Sequence, residues 1–150
     1  MGTATGTNPN QTHRSKARHL LVSAADEASR IALSFFGKSP QVWMKPGDSP
    51  VSEGDLAVNA FLENELCGAR PDYGWLSEET EDDVRRTKVD RLFVVDPIDG
   101  TRAYIGGQET WCVSIALVEN GAPVLGVLAC PVLQETFVCE ADCGATLNGT

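Results

Sequence analysis

The chain is predicted to be an α+β protein, with two helices packed on a largely antiparallel sheet. Three observations carry that prediction: a long helical apolar period near the N-terminus, a second helix with a capping signature, and a run of short apolar segments separated by turns from Trp111 onward.

From about Ser15 to Gly37 the apolar residues Leu20, Leu21, Ala24, Ala28, Ile31, Ala32 and Phe35 recur near the helical period, and Gly37 is a stop signal. The first fourteen residues are rich in Gly, Thr, Asn and Gln without an apolar centre, so they read as a floppy tail rather than a secretory signal. Trp43 to Pro50 is punctuated by Pro and Gly and reads as a loop. A second helix is expected from about Val51 to Cys67, burying Ala57, Ala60, Phe61 and Leu66. Ser52 can cap it, with Asp55 three residues on in capping-box register.

Tyr73 to Ser77 is a short strand candidate ending in Glu78 and Glu79. The charged stretch from Thr80 to Arg91 reads as a solvated loop, and Arg91 to Val95 as a strand. Trp111 to Val118 and Val124 to Cys130 flank Asn120-Gly121, a strong hairpin signal. Gln134 to Cys139 and Ala145 to Leu147 continue the meander. The chain ends at Asn148-Gly149-Thr150, inside what reads as another turn, a hint of truncation. The organisation is thus a tail over residues 1–14 and a single α+β unit over 15–150.

Composition narrows the class. The chain has 150 residues, is 42% hydrophobic and 22% charged, and carries a net charge of −9. Such a balance suits a globular protein, and no apolar run approaches the ~20 residues that a membrane span needs. A nucleic-acid partner is disfavoured, since phosphate backbones demand Lys and Arg. Between Leu76 and Asp99 lie eight carboxylates against four bases, and no Lys or Arg follows Arg102. A phosphate ligand would therefore depend on metal ions and backbone amides. The five cysteines, Cys67, Cys112, Cys130, Cys139 and Cys143, read as buried free thiols of a reducing cytoplasm; Cys139 and Cys143 have a zinc-like spacing but no histidine near them.

The most informative stretch is Val94 to Tyr104. A β-branched run delivers Asp96 and Asp99 at a strand end, Pro97 fixes φ, and Gly100 permits a tight turn. Two acids three apart, with a carbonyl between them at Ile98 and a hydroxyl after them at Thr101, suit a hard cation such as Mg²⁺. A lone Asp-x-x-Asp would be an ordinary turn. The full string Asp96-Pro97-Ile98-Asp99-Gly100-Thr101 is more specific, and it resembles the signature of the inositol monophosphatase superfamily of Mg²⁺-dependent, Li⁺-sensitive phosphatases. Ser49-Pro50-Val51-Ser52-Glu53-Gly54-Asp55 resembles that family's Ser-Pro-Val-Thr-x-x-Asp segment, and Ser77-Glu78-Glu79 its Glu-Glu segment. The motifs stand in the family's order, and the resemblance runs from about Leu20 to Gly149.

The resemblance implies the N-terminal half of a layered αβαβα sandwich, and hydrolysis of a small phosphorylated metabolite by in-line attack of a metal-bound water. It implies two or three Mg²⁺ ions held by Glu78, Asp96, the Ile98 carbonyl and Asp99, with Asp55 and Thr101 activating the water. Gly100 and Thr101 would offer amides to the substrate phosphate. Glu79 would orient groups around the metals, Lys45 would support a third metal or the attacking water, and Arg102 is a candidate substrate contact. Inositol monophosphate is the default substrate, with histidinol phosphate and a 3'(2'),5'-bisphosphate nucleotide as alternatives; the sequence Arg102-Ala103-Tyr104 leans slightly toward the histidinol-phosphatases. A truncated, non-catalytic or regulatory member is the alternative of another class, and a cytoplasmic homodimer is the implied setting. The family's Trp-Asp-x-Ala segment, which supplies a further metal-ligating aspartate, does not occur in the chain. On that ground the 150 residues alone are expected to bind at most one metal well and to catalyse poorly.

Overall fold

The first helix starts earlier than its apolar period suggests. In the computed structural model, which describes residue 6 and residues 8–150, α1 spans Pro9–Phe35. Asn8 caps it by accepting from the Asn10 amide at 3.1 Å, and Pro9 occupies the first turn, where its missing N–H costs nothing. The expected tail over residues 1–14 is thus corrected: residues 9–14 are helical, and residues 1–5 and 7 lie outside the described residues. His13, within that stretch, meets the Tyr73 hydroxyl at 2.9 Å.

Residues Trp43 to Pro50, expected as a loop, form most of an antiparallel hairpin of β1 (Val42–Lys45) and β2 (Ser49–Ser52). The turn closes through Gly47 and Asp48, both at positive φ. Pro50 is tolerated because this ladder has only two strands and an N–H is not needed on both of their edges.

α2 runs from Glu53 to Ala69, and Ser52 with Asp55 forms the expected capping box. Its inward face differs from the expected one. Val58, Leu62 and Leu66 are fully buried, whereas Ala57 and Phe61 are half-buried and Ala60 is exposed. The reason is polar: Asp55 and Asn59 point inward for the site, and an apolar-period reading assigns such residues to solvent.

A six-stranded sheet follows in the order β3-β4-β5-β6-β7-β8. It comprises β3 (Gly74–Ser77), β4 (Arg91–Asp99), β5 (Cys112–Glu119), β6 (Ala122–Cys130), β7 (Glu135–Glu140) and β8 (Gly144–Leu147). β3 pairs parallel with β4, and every other neighbour pair is antiparallel. The charged stretch before β4 contains a 3₁₀ turn, Val84–Lys88, and a short helix α3 (Thr101–Ile105) follows β4.

Helices α1 and α2 pack on each other and on the sheet, α1 over β5 and β6 and α2 over β4. Ala17, Ala24, Ala25, Ala28 and Ala32 let α1 approach closely, and Phe93, Val95, Ile115, Leu117 and Val127 face them from the strands. Each Leu or Phe fully buried there contributes roughly 2–3 kcal/mol. The cysteines are free, but only Cys112 is buried; Cys139 and Cys143 are exposed, contrary to expectation, because they fall on β7 and in the turn after it.

Candidate active site

The end of β4 leaves regular pairing between Asp96 and Asp99. Asp96 pairs with Ser114 and Asp99 with Cys112, so Pro97 and Ile98 together oppose the single residue Val113. This bulge bends the strand and re-aims the two carboxylates. Gly100 then adopts φ 87°, and a Cβ there would stand 2.8 Å from the Thr110 carbonyl oxygen, so only glycine completes the turn. α3 begins at Thr101 with no side-chain cap.

Thr101 and Asp55 meet as their resemblance-based pairing requires. The Thr101 hydroxyl lies 2.9 Å from Asp55 Oδ1 and 3.0 Å from the Ile98 carbonyl, either of which accepts its hydrogen. Asp55 is fully buried, and its Oδ2 accepts from the Ser52 amide at 2.8 Å and the Ser52 hydroxyl at 2.5 Å. The capping box therefore does two jobs. It starts α2, and it leaves the other carboxylate oxygen for Thr101.

Asp96 is half-buried, and its Oδ1 is fully enclosed without a hydrogen-bond partner. Burial first, then the charges of Glu78, Asp99, Asp55 and Glu79, push its carboxyl up to about 7. An unpartnered buried carboxylate oxygen among four further acids is costly by itself. Its chemistry fits a hard divalent cation, which wants oxygen ligands and cancels the repulsion. The cluster is not a closed cage, however. Among the described residues no three His, Cys, Asp or Glu side chains converge tightly enough to hold an ion, and Asp99 and Glu78 are exposed.

Glu78 continues the parallel pairing, its amide donating to the Val95 carbonyl at 3.2 Å. Beside it, the nearly buried Glu79 side chain accepts from Lys45 Nζ at 3.0 Å. Burial alone would lower the Lys45 ammonium, but the Glu79 hydrogen bond and the charges of Glu79, Glu78 and Asp55 outweigh it and raise it. Lys45 thus reaches the acids from the end of β1, within the hairpin expected from sequence as a loop.

Arg102 is exposed and donates to the Asp48 carbonyl at 2.5 Å, tying α3 to the hairpin turn. Tyr104 is buried: its hydroxyl donates to the Ala32 carbonyl at 2.7 Å, and its ring meets Trp111 edge-on at 4.8 Å. The Tyr104 of that tripeptide is therefore a packing residue. The motifs placed Ser52 as a helix cap and Ser77 beside the two glutamates but gave neither a link to the site, and they passed over Asn59 and Thr80, which are hydrogen-bonded to each other beside it. The signal available for Asn59 was its place four residues after Asp55, on the same helical face.

A profile of the inositol monophosphatase family matches residues 13–150. The chain belongs to the inositol monophosphatase family. A histidinol-phosphatase of Chlorobaculum parvum is 36% identical over 87% of this chain and 50% of its own length. An inositol-1-monophosphatase of Mesorhizobium japonicum is 37% identical over 90% of this chain and 51% of its own. Among solved structures, the extragenic suppressor protein suhB of Bartonella henselae superimposes with a TM-score of 0.82 at 36% identity, covering 89% of this chain and 52% of that one. The chain spans about half the length of the curated relatives it matches. Its three helices and mostly antiparallel sheet correspond to the N-terminal part of that fold. The family and these enzyme relatives are phosphatases. No described helix is long and apolar enough to cross a membrane.

Proposed function

We propose that the protein works as a Mg²⁺-dependent phosphomonoesterase on a small phosphorylated metabolite, with inositol monophosphate as the default substrate. The observation that carries this reading is the buried, unpartnered Asp96 Oδ1, set among Glu78, Asp99, Asp55 and Glu79 next to a Thr101 hydroxyl already held by Asp55. Asp96, Asp99, Glu78 and the Ile98 carbonyl would hold Mg²⁺, which when bound polarises the phosphate and makes water acidic.

The chain's own residues account for the rest. Because the Thr101 hydrogen goes to Asp55 or to Ile98, its oxygen lone pairs are free to accept from a water and aim it at phosphorus. Asp55, held twice by Ser52, keeps that hydroxyl oriented and can accept its proton. The amides of Gly100 and Thr101, at a turn where no side chain caps α3, are the donors for a phosphate oxygen. Lys45 restrains Glu79, so that one acid of the pair stays occupied.

Histidinol phosphate is the second reading, supported by a histidinol-phosphatase at 36% identity, level with the 37% of the inositol-1-monophosphatase. Five free thiols fit a reducing compartment such as the cytoplasm. Phosphate release from inositol-1-phosphate, histidinol phosphate and a 3',5'-bisphosphorylated adenosine, with Mg²⁺ and with chelator, tests the proposal. Mg²⁺-dependent turnover with a clear preference for one substrate is expected. Chelator-insensitive turnover by the full-length protein, or none on any of the three, overturns it.

A further inference from the structure

Helix α2 touches the site at two points one turn apart. Asp55 holds Thr101, and Asn59, 7% exposed, reaches the turn that carries Glu78 and Glu79. Asn59 Oδ1 accepts from the Ser77 hydroxyl at 2.5 Å, and its Nδ2 donates to Thr80 Oγ1 at 2.9 Å. Ser77, having given its hydrogen to Asn59, accepts the Glu79 amide at 3.2 Å. Thr80 Oγ1 also accepts from Trp75 Nε1 at 3.2 Å.

We infer that Asn59 is the positioning residue for the Glu78–Glu79 turn, so that α2 sets the spacing between the two acids and the Thr101 hydroxyl. The inference rests on the function proposed above, since it assigns Asn59 to the ordering of a metal-binding turn.

Direction makes the case. A primary amide is the side chain that accepts with one end and donates with the other, and Asn59 uses both ends on residues that bracket Glu78 and Glu79. Ser77 is 6% exposed and Asn59 is buried, so a broken link leaves polar atoms without water to replace it. The backbone adds a single long bond across this turn, Thr80 amide to Ser77 carbonyl at 3.4 Å. Glu78 itself is exposed, and the side-chain links to Asn59 come from its neighbours, not from it. Its amide ties the backbone to Val95 of β4 at 3.2 Å, and the rest of the turn that aims its side chain is held through Ser77 and Thr80. Because Asp55 and Asn59 sit on one rigid helix, a shift of α2 would move the water-positioning hydroxyl and the acids together.

The test compares wild type with Asn59→Ala, Thr80→Val and Thr80→Ser. Mg²⁺ affinity is read by Mn²⁺ competition in electron paramagnetic resonance, and amide exchange is followed at residues 78–80. Asn59→Ala and Thr80→Val are expected to weaken Mg²⁺ binding about tenfold, the scale found when partners of metal ligands are lost. They should also speed exchange of the Glu79 amide, and Thr80→Ser should restore both. In turnover the loss should appear in the Mg²⁺ concentration required, with kcat recovered at saturation. Should Asn59→Ala fold poorly, Thr80→Val carries the comparison. Wild-type Mg²⁺ binding with unchanged affinity and exchange in these variants overturns the inference alone. Absence of any Mg²⁺ response in wild type overturns the proposed function and this inference with it.

Discussion

Replacing Asp96 by Asn should strengthen the metal-free fold while removing its function. The Asp96 carboxyl is pushed from its ordinary 3.8 up to about 7 by burial and by four neighbouring acids. Its folded state therefore binds the proton more tightly than the unfolded chain does. By linkage, the stability associated with the protonated group is fully present below about pH 3.8 and is lost as pH rises through about 7. At 1.36 kcal/mol per pH unit the full loss would be about 4 kcal/mol. The side chain is only half-buried, and solvent screening reduces that to about 1–2 kcal/mol. An asparagine of the same shape carries no charge, so the metal-free variant should be more stable at pH 8 and nearly matched at pH 4. For a chain of this size the gain corresponds to roughly 3–6 °C in Tm. Thermal unfolding in chelator at both pH values measures it. With Mg²⁺ added, wild type should rise in Tm and the variant should not, because only the carboxylate form gains from the ion. A variant equally or less stable than wild type at pH 8, or a gain that is the same at pH 4, would refute the electrostatic reasoning.

The remaining predictions concern the frame and the chemistry. Thr101→Ala should lower Mg²⁺-dependent turnover by about 10²–10³-fold while leaving Mg²⁺ affinity within a few-fold, seen in steady-state kinetics and metal titration. Gly54→Ala should destabilise the fold, since the added Cβ would overlap the Tyr104 hydroxyl; the double variant with Tyr104→Phe should recover part of the lost Tm. Gly100→Ala combines a positive φ with a Cβ only 2.8 Å from the Thr110 carbonyl, and its cost should exceed about 1–2 kcal/mol in chemical denaturation. Millimolar Li⁺ should inhibit turnover, as expected for this family, and an enzyme indifferent to Li⁺ would argue for a different cation site.

How far the sequence could be read depended on whether one residue carried one signal. The β strands from Cys112 to Leu147 were legible because alternation and Asn120-Gly121 act locally. The capping box at Ser52 and Asp55 was legible for the same reason. The β1–β2 hairpin was not, because Pro46, Gly47 and Pro50 are loop formers whose pairing depends on the positive φ at Asp48. Helix α2 misled by its face: Asp55 and Asn59 are buried and hydrogen-bonded inward, so polarity no longer marked solvent. The bulge at Pro97 and Ile98 needed knowledge of β5, since register is a property of two strands. The motifs named Asp55, Glu78, Asp96, Asp99 and Thr101 correctly as neighbours, but a motif cannot name Asn59, whose partners lie 18 and 21 positions away.

The polar residues that cost this fold most are also the ones that relate its parts. Asp55 sits at the buried start of α2, where the helix dipole and two Ser52 donors make a carboxylate tolerable. Asp96 has no such support and lies where β4 leaves regular pairing, so its repulsion from Glu78 and Asp99 is not relieved within the protein. The two aspartates therefore have opposite characters within one cluster. One is satisfied and hydrogen-bonded to a hydroxyl; the other has a buried oxygen without a partner, the feature on which the proposed cation site rests. Exchanging their environments would remove both roles. Ser52→Ala should do this in part, by withdrawing one donor from Asp55 Oδ2 and letting that oxygen compete for the Thr101 hydrogen. Turnover should then fall with Mg²⁺ affinity unchanged. A Ser52→Ala protein whose Mg²⁺ affinity falls while kcat holds would show that the division of labour between Asp55 and Asp96 is wrong.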